Sequence, residues 1–249
     1  MFKFKEINEK VVKHAFFSRK GGLSKGIYDS LNCSFGSKDN KNIIKKNREI
    51  ALKKLGIQNK ILLVPHQTHS NTVKFVTEKT KPNILADGII TKSNKIALGI
   101  LTADCAPVFL FDNRKKIISA IHVGWKGAVN NIIYNSVKLM LDYGSNPNNI
   151  ISCIGPCIAQ NSYFVKSDFL KKFMSENIKN KKFFKFLKKE IKFNLKLYIN
   201  YKLKEAGIKK TFYKSFDTYI DKKNFFSFRR SKNKNELDYG RCISIISLN

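Results

Sequence analysis

The segment IALGILTADCAPVFLFDNRKKIISAIHVGW, residues 96–125, decides the architecture. It holds three runs apolar enough to be buried strands, Ile96–Leu101, Val108–Phe111 and Ile117–Val123. The polar break Asp112-Asn113-Arg114-Lys115 between the second and third predicts a hairpin. The third run stops at Gly124. Ala128–Tyr143 then reads as one amphipathic helix, with Ile132, Ile133, Val137, Met140 and Leu141 on its apolar face and Gly144 closing it.

Working outward, Val11–Phe17, Ile61–Val64, Thr72–Val76, Ile84–Thr91 and Ile150–Ile154 read as further strands. Asn42–Leu55 has helical spacing and a stop at Gly56. Residues 167–206 look mostly helical and Lys-rich, and Thr211–Tyr213, Phe225–Phe228 and Cys242–Leu248 read as closing strands. Strands and helices mixed in this way predict an α+β or layered α/β unit. No repeat and no Gly/Ser- or Pro-rich linker interrupts the chain, so residues 1–249 are expected to form a single domain.

Polar, reactive side chains fall at the ends of these strands: His69 after Ile61–Val64, Cys105 after Ile96–Leu101, and His122 at the end of Ile117–Ile121. A rigid strand fixes such a residue while the adjoining loop exposes it. A two-residue turn at Asn113-Arg114 would set Cys105 directly opposite His122, with Cβ atoms roughly 4.5–5.5 Å apart. That spacing suits two ligands of one zinc ion, with His69 as a third. Three protein donors leave a fourth position open, as in catalytic zinc sites. The same residues would also serve as a buried thiol and two hydrogen-bonded histidines, and spacing alone does not separate the two. His66, three residues before His69, is expected at the rim, and His14 is a weaker candidate from the first strand.

Composition narrows the class. The formal charge is +30, yet 42 of the 48 cationic residues are lysine and they are spread along the whole chain. Arginine is the usual base- and phosphate-reading residue, so nucleic acid is an unlikely partner, while anionic substrates would be attracted. No apolar run approaches the roughly 20 residues of a membrane helix, and the N-terminus lacks a signal-peptide apolar block. The five cysteines match no disulfide framework, so free thiols and a cytoplasmic location are expected. Cys153 and Cys157 lie four apart without a second Cys or His pair to complete a metal site.

The chain resembles the laccase-domain (YfiH-like) family. The resemblance rests on His14–Gly22, Gln67-Thr68-His69-Ser70, Ala86-Asp87-Gly88, Leu101–Val108, His122–Gly127, Ile154–Ile158, Phe228-Arg229-Arg230 and Gly240-Arg241, in order and spanning almost the whole length. It implies a four-layer α-β-β-α sandwich and zinc ligands at His69, Cys105 and His122. It also implies phosphorolysis of purine nucleosides and of methylthioadenosine, together with adenosine deamination. Copper-dependent polyphenol oxidation and the editing of peptidoglycan precursors are further family activities. Tyr163-Phe164-Val165, Ala159 and Phe228 depart from the family pattern at positions that bear on substrate preference.

Under this resemblance the implied partners are purine nucleosides and phosphate, handled by a monomer or homodimer. Asp104 and Asp87 are candidate proton-transfer or hydrogen-bonding groups, and Arg48 and Lys126 candidate phosphate ligands. A metal-independent alternative makes Cys105 a thiolate nucleophile with His122 as its base, suited to amide hydrolysis on cell-wall precursors. A copper-dependent polyphenol oxidase is the least favoured, because three ligands of this kind do not make a multicopper cluster.

Overall fold

The computed structural model describes every residue except Lys189. Strand β1 (Val12–Phe16) leads to helix α1 (Lys41–Leu55), then β2 (Ile61–Leu63), β3 (Val73–Phe75), β4 (Gly88–Thr91), β5 (Ile96–Thr102), β6 (Ala106–Asp112) and β7 (Ile117–Val123). Helices α2 (Trp125–Val129) and α3 (Ile132–Asp142) follow, then β8 (Ile150–Ile154), β9 (Phe164–Val165) and α4 (Ser167–Glu176). The chain ends with β10 (Phe184–Leu187), β11 (Glu190–Phe193), α5 (Leu195–Glu205), β12 (Lys210–Tyr213), α6 (Phe228–Asn233) and β13 (Cys242–Leu248).

Strand periodicity explains the layering. Side chains alternate between the two faces of a strand, and β6, β7 and β13 are buried along their whole length. Both faces must therefore be covered. A small sheet has the order β10-β11-β9, and two large ones have the orders β1-β13-β5-β2 and β12-β8-β6-β7-β4-β3. Between the large two lie Phe16, Leu98, Ile100, Phe109, Phe111, Ile118, Ala120 and Ile246. On the outer face of the first large sheet, Ala15, Ala97, Ile243 and Ile245 pack with Ala51, Leu52 and Leu55 of α1. On the outer face of the second, Val108, Leu110, Ile117 and Ile121 pack with Ile132, Ile133, Val137 and Met140 of α3 and with Tyr198, Ile199 and Leu203 of α5. The result is the four-layer α-β-β-α sandwich. Helix α1 starts where Asn40 accepts from the backbone N–H groups of Asn42 and Ile43, and ends at Gly56, whose φ of 72° suits glycine. No helix among the described residues is long and apolar enough to cross a membrane.

Four sequence expectations are corrected. The β6–β7 hairpin pairs Pro107 with His122 and Ala106 with Val123, so Cys105 lies just outside the ladder rather than opposite His122. The turn takes four residues, Asn113–Lys116, because the Asp112 carboxylate accepts from the N–H groups of Arg114 and Lys115, and Lys116 closes it at φ 50°. The slip is two residues, so every side chain keeps its face. The helix expected over 128–143 is split into α2 and α3 at Asn131, which sits at φ 65°. The stretch 167–206 contains the β10–β11 hairpin, whose Phe184 and Phe193 are paired and buried. Alternating Phe and Lys there has a period of two, hidden in a Lys-rich context. Phe225 and Phe226 are buried in a loop rather than a strand, and Ser227 caps α6 by accepting from the N–H of Arg230.

Phe109 stacks on Phe16 across the two sheets at 4.5 Å and is 1% exposed. Phe109→Ala should cost about 3–5 kcal/mol, measured as a lower urea midpoint at unchanged slope. A loss below about 1 kcal/mol would mean that the sheets do not share this core.

Candidate metal centre

The segment between β2 and β3 has little regular structure of its own and is fixed by two side chains. Gln67 donates through Nε2 to the carbonyl of Leu101 at 2.7 Å and accepts at Oε1 from the Leu101 N–H at 2.8 Å. Its amide thus stands in for a strand partner beside β5. Asp87, fully buried just before β4, does the rest. Its carboxylate accepts from the N–H groups of Thr68, His69 and Ser70 at 3.1, 3.0 and 2.7 Å and from the Ser70 hydroxyl at 2.8 Å. These donors hold His69 at φ 60°, a left-handed conformation that costs energy for a non-glycine residue.

The fifth donor to Asp87 is the His122 ring, Nδ1 to Oδ1 at 2.7 Å. A ring nitrogen committed to a carboxylate leaves the other, Nε2, free for a ligand. His122 is buried on β7, and its ring lies 4.7 Å from that of His69, nearly perpendicular. The Cys105 thiol lies 3.8 Å from His69 Nε2. The donor atoms of His69, Cys105 and His122 all fall within 4.8 Å of one another. Small side-chain rotations would bring three atoms this close onto one ion with bonds of roughly 2.0–2.3 Å. The three sequence candidates therefore meet, although the hairpin register that suggested two of them is not the one that brings them together.

Two observations bear on whether this group fits a metal. The donor set is one thiolate and two imidazoles, which suits zinc or copper. The floor beneath it is Gly124, where a Cβ would sit 2.9 Å from His69 Cδ2 and 3.0 Å from Cys105 Sγ. Any side chain there would push two donors out of place. Electrostatics agree. Burial opposes ionisation of Cys105, but the His122 charge and hydrogen bonds from both histidines overcome it and bring the thiol down. Burial likewise opposes the charged form of His122, and the neighbouring Cys105 and Asp87 raise it. Burial also works against ionised Asp87, yet His122 and Ser70 hold it well below the usual carboxylate range.

The remaining candidates are placed as follows. Asp104, at φ 86°, accepts from the Thr218 hydroxyl at 2.7 Å, the Ser227 hydroxyl at 2.9 Å and the Arg229 N–H at 2.7 Å. It ties the Cys105 loop to the C-terminal segment. Lys126 is exposed on α2, directly after the Gly124 floor, with Nζ 5.8 Å from the Trp125 ring. Arg48 donates to the carbonyl of Cys33 at 2.8 Å and covers the Phe35 ring. No hydrogen bond or ion pair joins it to His69, Cys105 or His122 among the described residues. His66 is exposed. His14 is buried between the sheets, where its Nε2 accepts from the Phe4 N–H, and burial lowers it to about 4. Cys153 and Cys157 pack into different cores. Gln67 and Gly124 are site residues whose roles the sequence did not announce; a glycine directly after the ligand-bearing strand was the available signal.

Asp87→Asn keeps the shape of the side chain but loses its charge and part of its accepting capacity. Zinc affinity, measured by competition with a chromophoric chelator, should fall by roughly 10–100-fold. Affinity within twofold of the unmodified protein would mean that Asp87 only ties the loop.

Comparison with known proteins bears on the family and the fold. The sequence profile of the family described as multi-copper polyphenol oxidoreductase laccase matches residues 13–249. A Rickettsia conorii protein named purine nucleoside phosphorylase is 41% identical over 172 residues, 68% of this chain and 71% of the relative. A Haemophilus influenzae protein of the same name is 31% identical over 238 residues, 94% of this chain and 93% of its own. The crystal structure of Bacillus licheniformis hypothetical protein YfiH is similar at a TM-score of 0.89 and 27% identity, covering 96% of this chain and 93% of that one. A Neisseria meningitidis protein gives 0.86 at 26%, covering 96% and 94%. A profile match from within β1 to the last residue, on the same sandwich, places this chain in the laccase-domain (YfiH-like) family.

Proposed function

We propose that the chain is a zinc-dependent purine nucleoside phosphorylase that also cleaves methylthioadenosine and deaminates adenosine in the cytoplasm. The observation that carries the reading is the convergence of His69, Cys105 and His122, together with relatives named purine nucleoside phosphorylase. In phosphorolysis a phosphate oxygen bonds to C1′ of the sugar, the N-glycosidic bond breaks, and the base leaves with a proton, giving sugar 1-phosphate and free purine. In deamination, water replaces the 6-amino group and ammonia leaves.

Zinc bound to the three donors would supply a Lewis acid. The chain's own residues do the positioning. Asp87 holds the proton of His122 at Nδ1, which keeps Nε2 available as a donor. Cys105, lowered by its histidine neighbours, is ready to ionise. Asp104, with its three donors, fixes the turn that carries Cys105. The net charge of +30 draws phosphate toward the surface, an attraction that salt screens.

A second reading is supported by the same electrostatics. A lowered Cys105 thiol beside a raised His122 is the pairing a metal-free Cys–His amide hydrolase uses. Copper-dependent polyphenol oxidation is the weakest reading: the described residues form one such donor group, and a multicopper cluster needs more.

Incubating the zinc-loaded protein with adenosine should give adenine and ribose 1-phosphate only when phosphate is added, and inosine without it. His69→Ala, Cys105→Ala and His122→Ala should each stay folded and lose turnover. The loss should exceed the roughly 10–100-fold typical when only a ligand's hydrogen-bond partner is removed. Full turnover in any one of them would overturn the metal reading, and full activity after metal stripping would favour the hydrolase. In the stripped protein, alkylation of Cys105 by iodoacetamide should rise with pH at a lower inflection than the roughly 8.5 of a free cysteine, and Asp87→Asn should move it upward.

A further inference from the structure

Phosphorolysis requires a site for an oxyanion beside the nucleoside, and the two residues expected for that role lie elsewhere or out in solvent. Arg48 is committed to Cys33 and Phe35, and Lys126 is exposed on its helix. A different cation is tied through its backbone to the loop that carries Cys105. The backbone N–H of Arg229, in the first turn of α6, donates to Asp104 at 2.7 Å, and Asp104 is the residue before Cys105. Arg229 is thus tied to the loop that presents the thiol.

The Arg229 guanidinium is under-used. It makes one hydrogen bond, from Nη1 to the carbonyl of Phe164 at 2.9 Å. Four of its five N–H donors have no protein partner among the described residues, and no carboxylate lies within ion-pair distance. It sits over the ring of Tyr163, 5.5 Å from the centroid. The Tyr163 hydroxyl also lacks a hydrogen-bond partner among the described residues. Burial and the charge of Cys105 both disfavour its ionisation, while Arg229 works the other way. That places the phenol within electrostatic reach of both. Lys192, paired in register with Phe164, lies on the same side with Nζ 4.4 Å from the Phe164 ring, but its charge is shared with Glu190 at 3.7 Å, which leaves Arg229 as the unpaired cation here among the described residues. The adjacent arginine shows the contrast: Arg230 spends its guanidinium on the carbonyls of Thr218, Tyr219 and Phe225. It staples loops, whereas its neighbour keeps its donors free.

We propose that Arg229 binds the phosphate co-substrate beside the loop that presents Cys105 to the His69–Cys105–His122 group. The planar fork of a guanidinium matches two oxygens of a tetrahedral oxyanion. The assignment rests on the phosphorylase reading for its biological meaning, but the anion site itself does not depend on turnover.

The test uses the full-length zinc-loaded protein with inorganic phosphate as the probe. Calorimetric titration should show saturable binding that weakens by at least about tenfold in Arg229→Met, the loss of one charge-assisted hydrogen bond. Arg229→Lys, which keeps the charge but not the fork, should fall in between. In steady state, Arg229→Met should raise KM for phosphate by a similar factor, with KM for adenosine within about twofold. Zinc content should be unchanged. Deamination without phosphate should persist, whereas structural damage from loss of the Phe164 contact would lower both activities together. Unchanged phosphate affinity in Arg229→Met, or in Arg229→Lys should the first variant not fold, overturns the proposal while leaving the phosphorylase reading intact. Phosphate binding that depends on Arg229 in a protein that cleaves no nucleoside upholds the anion site and removes the phosphorylase reading instead. No saturable phosphate binding to the unmodified protein overturns the assignment.

Discussion

One buried carboxylate holds the site together. Asp87 accepts from three successive backbone N–H groups, one hydroxyl and one imidazole. Each of these bonds to a charged acceptor is worth more than a neutral one, so the cluster offsets the cost of burying the charge and of bending His69 into a left-handed conformation. The consequence is geometric. His69 comes from an irregular loop and His122 from the middle layer of a sandwich, and both reach the same carboxylate. Their relative position is set by one hydrogen-bonded hub rather than by packing of the rings.

The fold supplies the other half of that precision. Strand β7 is buried along its whole length, with apolar side chains pointing into two different cores, so it has little room to slide. His122 therefore stands on one of the most constrained elements of the molecule. Cys105 is positioned differently, by the turn between β5 and β6, with Asp104 clamped to Thr218, Ser227 and Arg229. The C-terminal segment thereby becomes part of the site's support, although it contributes none of the three donors. Gly124 completes the arrangement by leaving space where any Cβ would collide with two of them.

Much of this was legible in the sequence, and the residues show why. β7, β8 and β13 are legible to their ends because each is a short apolar run with a clear stop. His69, Cys105 and His122 stood out because reactive side chains sat at strand ends and the family motifs agreed. The β6–β7 register was not legible, since it depends on the Asp112 side chain bonding two backbone N–H groups in the turn, a choice that apolar spacing does not encode. The β10–β11 hairpin was hidden because Phe and Lys alternate in both helical and extended guises, and the decision is made by Phe184 and Phe193 joining a distant aromatic cluster. Arg48 has the right charge in the helix after the Gly21-Gly22 loop, but neither charge nor helical spacing says which side of a sheet a helix covers.

The excess of lysine sharpens what the arginines mean. In a chain with 42 lysines and 6 arginines, a merely solvated positive charge is almost always supplied by lysine. Five of the arginines are instead engaged through their planes or forks. Arg19 lies over Phe226, Arg48 over Phe35, Arg229 over Tyr163 and Arg241 over Tyr239, while Arg230 bridges three carbonyls. An ammonium reproduces neither a flat stacking surface nor several donors in fixed directions. None of these guanidiniums is joined to a carboxylate among the described ion pairs, so their value lies in geometry rather than in charge balance. Where four such groups are used up on the protein's own carbonyls and rings, their role is structural. Arg229, with most of its donors turned to no protein atom and its backbone tied to the residue before Cys105, is the one whose geometry is still open to a ligand.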